Sequence, residues 1–383
     1  MVDGLGRMSA PGRIRVVHVI QNMNYGGMER MLADLIAALD QSVFQQHLVV
    51  LQYLGRFAKG LEQFAQLQVC PPMARGSLLW PRQLVRVLRR LEPDIVHTHS
   101  GVWFKGSWAA RMAHVPVVVH TEHGRPSPDK QPGRFIDSVA ARWTDRVVAV
   151  SDALVEQVAS TITSDRSRIR RIVNGIPIRP MRVVDATAVR RALSLEPGSL
   201  IIGSVGRLEP IKGPDLLVEA FALLQAAWPS EPRPALVVIG EGSLRSSVEA
   251  RATSLGVAER IRWLGWRDDV DQWLPAFDLF TLTSRSEGTS ISLLEAMAAG
   301  RCPVVTDVGG NREVLGPELA HRLVRTLDPA AIAAGWRAAL SDGRLHNDVS
   351  LGRRRVESSY SIAGMVAAYE TLYTELLGRP GCL

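Results

Sequence analysis

Cysteine is nearly absent from this 383-residue chain: Cys70, Cys302 and Cys382 lie far apart, with the paired spacing of neither a zinc site nor a redox dithiol. A disulfide framework is therefore not expected, and a reducing, cytoplasmic compartment fits best. Long apolar runs are missing too. Nothing approaches the ~20 apolar residues of a spanning helix, and Met1 to Arg15 lacks the apolar core of a secretory leader, so neither membrane insertion nor export by that route is expected. There is no short-period repeat and no low-complexity tract, which removes solenoid and disordered architectures from consideration. Acidic residues are slightly outnumbered: 45 Lys plus Arg stand against 38 Asp plus Glu. The resulting +7 favours phosphate-bearing or membrane-surface partners by long-range attraction without singling one out.

What remains has the composition of an ordinary globular protein, 46% hydrophobic and 22% charged. At the usual ~100–200 residues per domain, the length calls for two domains. Near-continuous apolar runs at Ile14–Ile20, His47–Leu51, Asp94–His97, Val115–His120 and Arg146–Val150 read as strands buried on both faces, the mark of a parallel sheet covered by helices. The same grammar returns at Leu200–Val205, Ala235–Ile239, Ile261–Leu264, Leu279–Thr283 and Pro303–Thr306, with helices expected at Pro214–Ala227, Ser243–Leu255, Ser290–Ala299 and Asn311–Leu315. Asn174-Gly175-Ile176-Pro177-Ile178-Arg179-Pro180 is a turn followed by two prolines and suits a linker. The expected organisation is an α/β domain over 1–178, a second over 179–360, and a last helix near Ser361–Leu377 that docks back on the first.

Three stretches carry chemistry. After the first strand, Gly26-Gly27-Met28-Glu29 opens a helix. A glycine pair there lets backbone N–H groups and the helix dipole meet a phosphate, although the same pair also suits a tight turn that only relieves sterics. In Gly206-Arg207-Leu208-Glu209-Pro210-Ile211-Lys212-Gly213, two cations follow a buried strand, where parallel strands end in a ligand crevice and a diphosphate can be clamped. Ser284 to Gly300 holds Glu287 in a loop, hydroxyl residues at a helix start and Glu295 one turn further in. Free amides near Ser290 to Ser292 suit phosphate oxygens and Glu295 suits ribose hydroxyls, while a plain capped helix with solvated carboxylates is the alternative.

Glu287 and Glu295, within Glu-Gly-x-x-x-x-Leu-Leu-Glu-Ala-Met-Ala-x-Gly, together with Gly26 to Glu29, Gly206 to Gly213 and Pro303 to Glu313, resemble glycosyltransferase family 4 in order along the chain. The resemblance implies a GT-B fold, two doubly wound Rossmann-like domains facing across a cleft, and retaining transfer from a nucleoside diphosphate sugar without a metal or other cofactor. It implies that Arg207 and Lys212 neutralise the diphosphate and that Glu287 lies against the donor sugar. Glu295 would hold the ribose, with Gly26 and Gly27 near the distal phosphate. Gly288, Thr289, Ser290 and Ile291 join the donor site. A first-domain histidine near the sugar is implied as well. His123 is favoured for that role, His120 reads more as a core residue, and His99 and His120 are kept as acceptor-side candidates with His97 beside them.

Asp269-Val270-Asp271 has the look of a metal-binding Asp-x-Asp, but is expected to cap a short helix instead. Loops at Gly240–Gly242 and Trp263–Arg267 are expected beside the base. The acceptor is expected to be a saccharide or lipid-linked saccharide in cell-surface polysaccharide or glycolipid assembly. The Arg-rich segment Pro81–Arg90, beside Trp80, suits peripheral contact with anionic lipid or a solvated face equally, and nucleic acid is not expected. Two rivals are a GT-B scaffold without catalysis and a dinucleotide-dependent oxidoreductase. The second needs a Gly-x-Gly-x-x-Gly turn that neither Met23–Glu29 nor Val205–Gly213 provides.

Overall fold

The computed structural model describes residues 12–24, 26–72, 80–124, 131–182, 184–229, 231–341 and 343–378. Residues 1–11, Tyr25 and Cys382, which fall in segments named above, lie outside them. Two parallel sheets follow one another. The first contains β1 (Ile14–Ile20), β2 (Phe44–Val50), β3 (Ala65–Val69), β4 (Ile95–His99), β5 (Val117–Glu122), β6 (Arg146–Ala149) and β7 (Ile169–Arg171), in the order 3-2-1-4-5-6-7. The second contains β8 (Ile201–Val205), β9 (Ala235–Ile239), β10 (Ile261–Gly265), β11 (Leu279–Leu282), β12 (Cys302–Thr306) and β13 (Leu323–Val324), in the order 10-9-8-11-12-13.

Three of these strands, β3, β7 and β13, were not expected from the sequence. All three are edge strands. An edge strand need not bury both faces, so Ala-Gln-Leu-Gln-Val and Ile-Arg-Arg lack the apolar run that marks a central strand. The central strands are buried along nearly their whole length, and helices such as Gly27–Ala38 and Pro214–Ala227 cover them with Met31, Leu35, Phe221 and Leu224.

Each sheet reverses its strand order once, between β1 and β4 and between β8 and β11. Crevices open at such switch points, beyond the carboxyl ends of the strands. Here the two crevices face each other. The linker runs between them and is gripped by the far end of the chain: Ile176 N donates to Tyr360 O (2.9 Å) and Ile362 N to Ile176 O (2.9 Å). The last helix, Ile362–Leu376, then lies on the first sheet. Its Tyr373 hydroxyl is 2.7 Å from His97 Nδ1 and its Tyr369 hydroxyl 3.0 Å from Thr121 Oγ1.

Candidate active site

The facing crevices form one cavity of about 1260 Å³. Ordinary small-molecule pockets span ~300–1,000 Å³, so there is room for an extended ligand. The first domain contributes Gly26, Gly27, Glu29, Arg30, Ser100 and His123; the second contributes Arg207, Lys212, Glu287 to Ser292 and Glu295.

Two helices point their N-termini into the cavity. Gly26 is the N-cap of Gly27–Ala38 at φ 144, and Ser290 is the N-cap of Ile291–Ala298. The alternative reading of the Ser290 segment was a plain capped helix. No cap from Ser290 forms: its hydroxyl lies 3.4 Å from Ser292 Oγ, and neither N-cap residue bonds a first-turn amide with its side chain. Unclaimed amides with a dipole behind them are what an anionic ligand requires. The two termini also touch, since a Cβ on Gly27 would lie 3.3 Å from Ile291 Cγ1.

Lys212 follows β8 on a single 3₁₀ turn, and Glu287 follows β11. Lys212 Nζ donates to both carboxylate oxygens of Glu287, at 2.7 Å each, and Ser284 Oγ donates to Oε1 at 2.6 Å. Glu287 is 7% exposed, so its charge is balanced by the lysine, with the serine hydroxyl adding a hydrogen bond. Arg207 is exposed on the cavity wall, and no ion pair involving it is found among the described residues. Across the cavity Glu29 is buried, with a carboxylate oxygen folded against Gly26. Burial pushes its pKa up to about 7, partly offset by its own backbone amide and by Arg207. Glu29 belongs to the Gly-Gly-Met-Glu segment, but the sequence reading gave it no role.

Glu295 lines the cavity as well. Burial raises it to about 7, with Arg30 pulling down and Asp34 pushing up. Of the loops expected beside the base, Gly240, Glu241, Gly242, Trp266 and Arg267 reach the cavity, whereas Trp263 lies under Arg245, whose guanidinium carbon is 5.0 Å from the ring centroid. Asp269 is the N-cap residue of Val270–Trp273, but its side chain does not cap it, contrary to expectation. Arg267 takes both oxygens instead (2.8 and 2.6 Å), while Asp271 pairs with Arg179 (3.0 Å). The two carboxylates are thus bound to different arginines.

The histidines divide by strand geometry. His123, just past β5, lines the cavity. His97, His99 and His120 do not, which corrects their acceptor-side reading. His97 and His99 are completely buried within β4. His120, buried in β5, bonds Thr98 Oγ1 (2.9 Å) and stacks on Trp103 at 4.0 Å between centroids. Missed by the sequence reading was His18, buried in β1, whose Nδ1 is 3.4 Å from His99 Nε2. Nitrogens of His18, His97 and His99 lie within 4.8 Å of one another. Both nitrogens of His97 are already hydrogen-bonded, to Tyr373 and Thr121, and both of His99, to His18 and His123.

Residues 25–179 match the family described as Glycosyltransferase Family 4, and residues 185–355 match Glycosyl transferases group 1. A D-inositol 3-phosphate glycosyltransferase of Geodermatophilus obscurus is 30% identical over 312 residues, 74% of this chain and 67% of that protein. This chain belongs to glycosyltransferase family 4. Over almost its full length this glycosyltransferase is also similar to the UDP-Gal:alpha-D-GlcNAc-diphosphoundecaprenol alpha-1,3-galactosyltransferase of Escherichia coli, 26% identical over 96% of this chain and 99% of the relative. Its fold is GT-B. The structure of Anabaena HepE in complex with UDP and glucose superimposes with a TM-score of 0.81, at 19% identity, over 95% of this glycosyltransferase and all of that chain. That of WaaG, a glycosyltransferase involved in lipopolysaccharide biosynthesis, gives 0.73 at 16% identity, over 95% and 100%.

Proposed function

We propose that this glycosyltransferase moves a sugar from a nucleoside diphosphate donor to a saccharide or lipid-linked saccharide, with retention at the anomeric carbon and without a metal ion. The observation carrying this reading is the meeting of two uncapped helix N-termini with Arg207 and Lys212 in one cavity. Breaking the bond between the anomeric carbon and the phosphate oxygen leaves negative charge on the diphosphate. Fixed cations and amide dipoles in a partly closed site stabilise that charge without reorganising. They supply what a divalent ion would otherwise supply, and Asp269 and Asp271 are spent on separate arginines.

Glu287 is ill suited to act as a nucleophile, because Lys212 and Ser284 occupy its oxygens. This favours attack by the acceptor on the face the phosphate leaves, the acceptor proton passing to the departing phosphate oxygen. In this reading Glu295 receives the ribose hydroxyls, Glu287 with Lys212 lies against the sugar and the phosphates, and His123 is the first-domain group beside the sugar.

The name of the Escherichia coli relative suggests a diphospholipid-linked acceptor and hence cell-surface polysaccharide or glycolipid assembly at the cytoplasmic membrane face. No described helix is long and apolar enough to cross a membrane. The helix Arg82–Leu91 buries Leu84, Val85, Val87 and Leu88 in the domain and turns Arg82, Arg86, Arg89 and Arg90 outward, next to half-exposed Trp80. Contact with anionic lipid would therefore be electrostatic and salt-sensitive rather than insertion of the apolar face. Transfer from UDP-sugars in EDTA tests the chemistry. The expected product keeps the donor's anomeric configuration by proton NMR; an inverted product, or activity restored only by manganese, contradicts it.

A further inference from the structure

Glu313 ends the segment Pro303 to Glu313, and its side chain reaches out of its own domain. It stands on the short helix Asn311–Leu315 after β12 and is 18% exposed. Its Oε2 accepts from the backbone amide of Asp152 in the first domain at 2.7 Å, and its Oε1 accepts from Arg171, the last residue of β7. Arg171 Nε also meets Asp152 Oδ1, at 2.8 Å. Asp152 opens the helix Asp152–Thr161. The N-cap hydroxyl, on Ser151, accepts from Leu154 N (3.3 Å), so the Asp152 amide is left to the visiting carboxylate, which also faces the positive end of the helix dipole. The backbone behind Glu313 is held: Arg355 and Tyr360 donate to its carbonyl oxygen at 2.7 and 3.1 Å.

This contact lies beside the donor loop. Three consecutive residues of the first domain are met by the second: Val150 O accepts from Thr289 Oγ1, a Cβ on Gly310 would lie 3.1 Å from Ser151 Cβ, and the Asp152 amide has Glu313. The Gly309-Gly310 turn, just before the Glu313 helix, packs on the Glu287 loop. Gly310 N donates to Gly288 O (3.1 Å), and a Cβ on Gly309 would run into Glu287 O. The Glu287–Thr289 loop is thus held between that turn and the first domain, where Gly288 also packs on His123 O. Backbones packed this closely have no slack, so a shift of the first domain at residue 152 is felt at Glu287 and His123.

We propose that Glu313 is a positioning residue: it clips the second domain to the helix terminus at Asp152 and so sets the Glu287–Gly288 loop against His123 across the cleft. The effect on transfer rests on the donor-site reading; the clip does not. Small-angle scattering of the unliganded full chain tests the clip. The wild type should give the profile of the closed structure and Glu313→Ala a larger radius of gyration, while Glu313→Gln, which keeps an oxygen for the Asp152 amide, should stay near wild type. An open wild type, identical profiles for wild type and Glu313→Ala, or a Glu313→Gln as open as Glu313→Ala overturns the proposal whether or not the protein transfers sugar. In transfer assays Glu313→Ala should lower kcat about tenfold, the size of one hydrogen bond to a charged group. Affinity for the free nucleoside diphosphate should stay unchanged, because Arg207 and Lys212 remain with the second domain. An unchanged kcat, or an affinity that falls in step with kcat as in a merely destabilised protein, overturns the proposal. Arg171→Ala removes the cation and leaves the amide. It should fall between wild type and Glu313→Ala in both measurements, and a wild-type profile and rate in it overturns the proposal even if Glu313→Ala does not fold.

Discussion

A carboxylate as enclosed as that of Glu287 needs its counter-charge, and Lys212 provides it at 2.7 Å. Lys212→Ala and Glu287→Ala should each slow transfer on the order of 100-fold or more, because each leaves a charge unpaired where the diphosphate and sugar are expected. A rate near wild type in either, measured at saturating donor, contradicts the assignment. Glu29 gives a pH test. Its folded pKa, about 7, is above the ordinary carboxylate value, so its contribution to stability is fully present below about pH 4.5 and is lost as pH rises through 7. Glu29→Gln does not titrate. Its melting temperature relative to wild type should therefore rise between pH 5 and pH 8, and an equal difference at both pH values contradicts the burial argument.

Among the elements, those with a strong local pattern were legible in the sequence. Ile14–Ile20, Ala235–Ile239, Pro214–Ala227 and Asn311–Leu315 occupy the expected bounds, because a doubly buried strand or an apolar-striped helix states its environment in its own residues. Edge strands β3, β7 and β13 do not. The candidate site shows the same division. Segments at strand-to-helix turns could be read directly, whereas His18 looks like an isolated polar residue until β1 and β4 are set side by side. Gly288 links the elements across the cleft: a Cβ there would lie 2.0 Å from His123 O. Gly288→Ala should push the two loops apart and lower transfer at least tenfold. Gly133→Ala, with open space around it on a helix, should leave transfer unchanged.

At the scale of the whole molecule, the chain's end holds the first domain. Tyr373 is fully buried and its hydroxyl partners His97, 2.7 Å away. Tyr373→Phe strands that nitrogen and should cost about 1–3 kcal/mol, seen as a lower denaturation midpoint with an unchanged slope; an unchanged midpoint contradicts this. Such docking keeps two switch-point crevices facing each other, and on this the proposed function depends. The most direct test is a thermal-shift comparison of the purified protein with uridine, guanosine and adenosine diphosphates and NAD, each in EDTA. One nucleoside diphosphate is expected to raise the melting temperature with EDTA present; stabilisation by NAD alone, or by a diphosphate only when a divalent metal is supplied, would contradict a metal-independent nucleotide-sugar site.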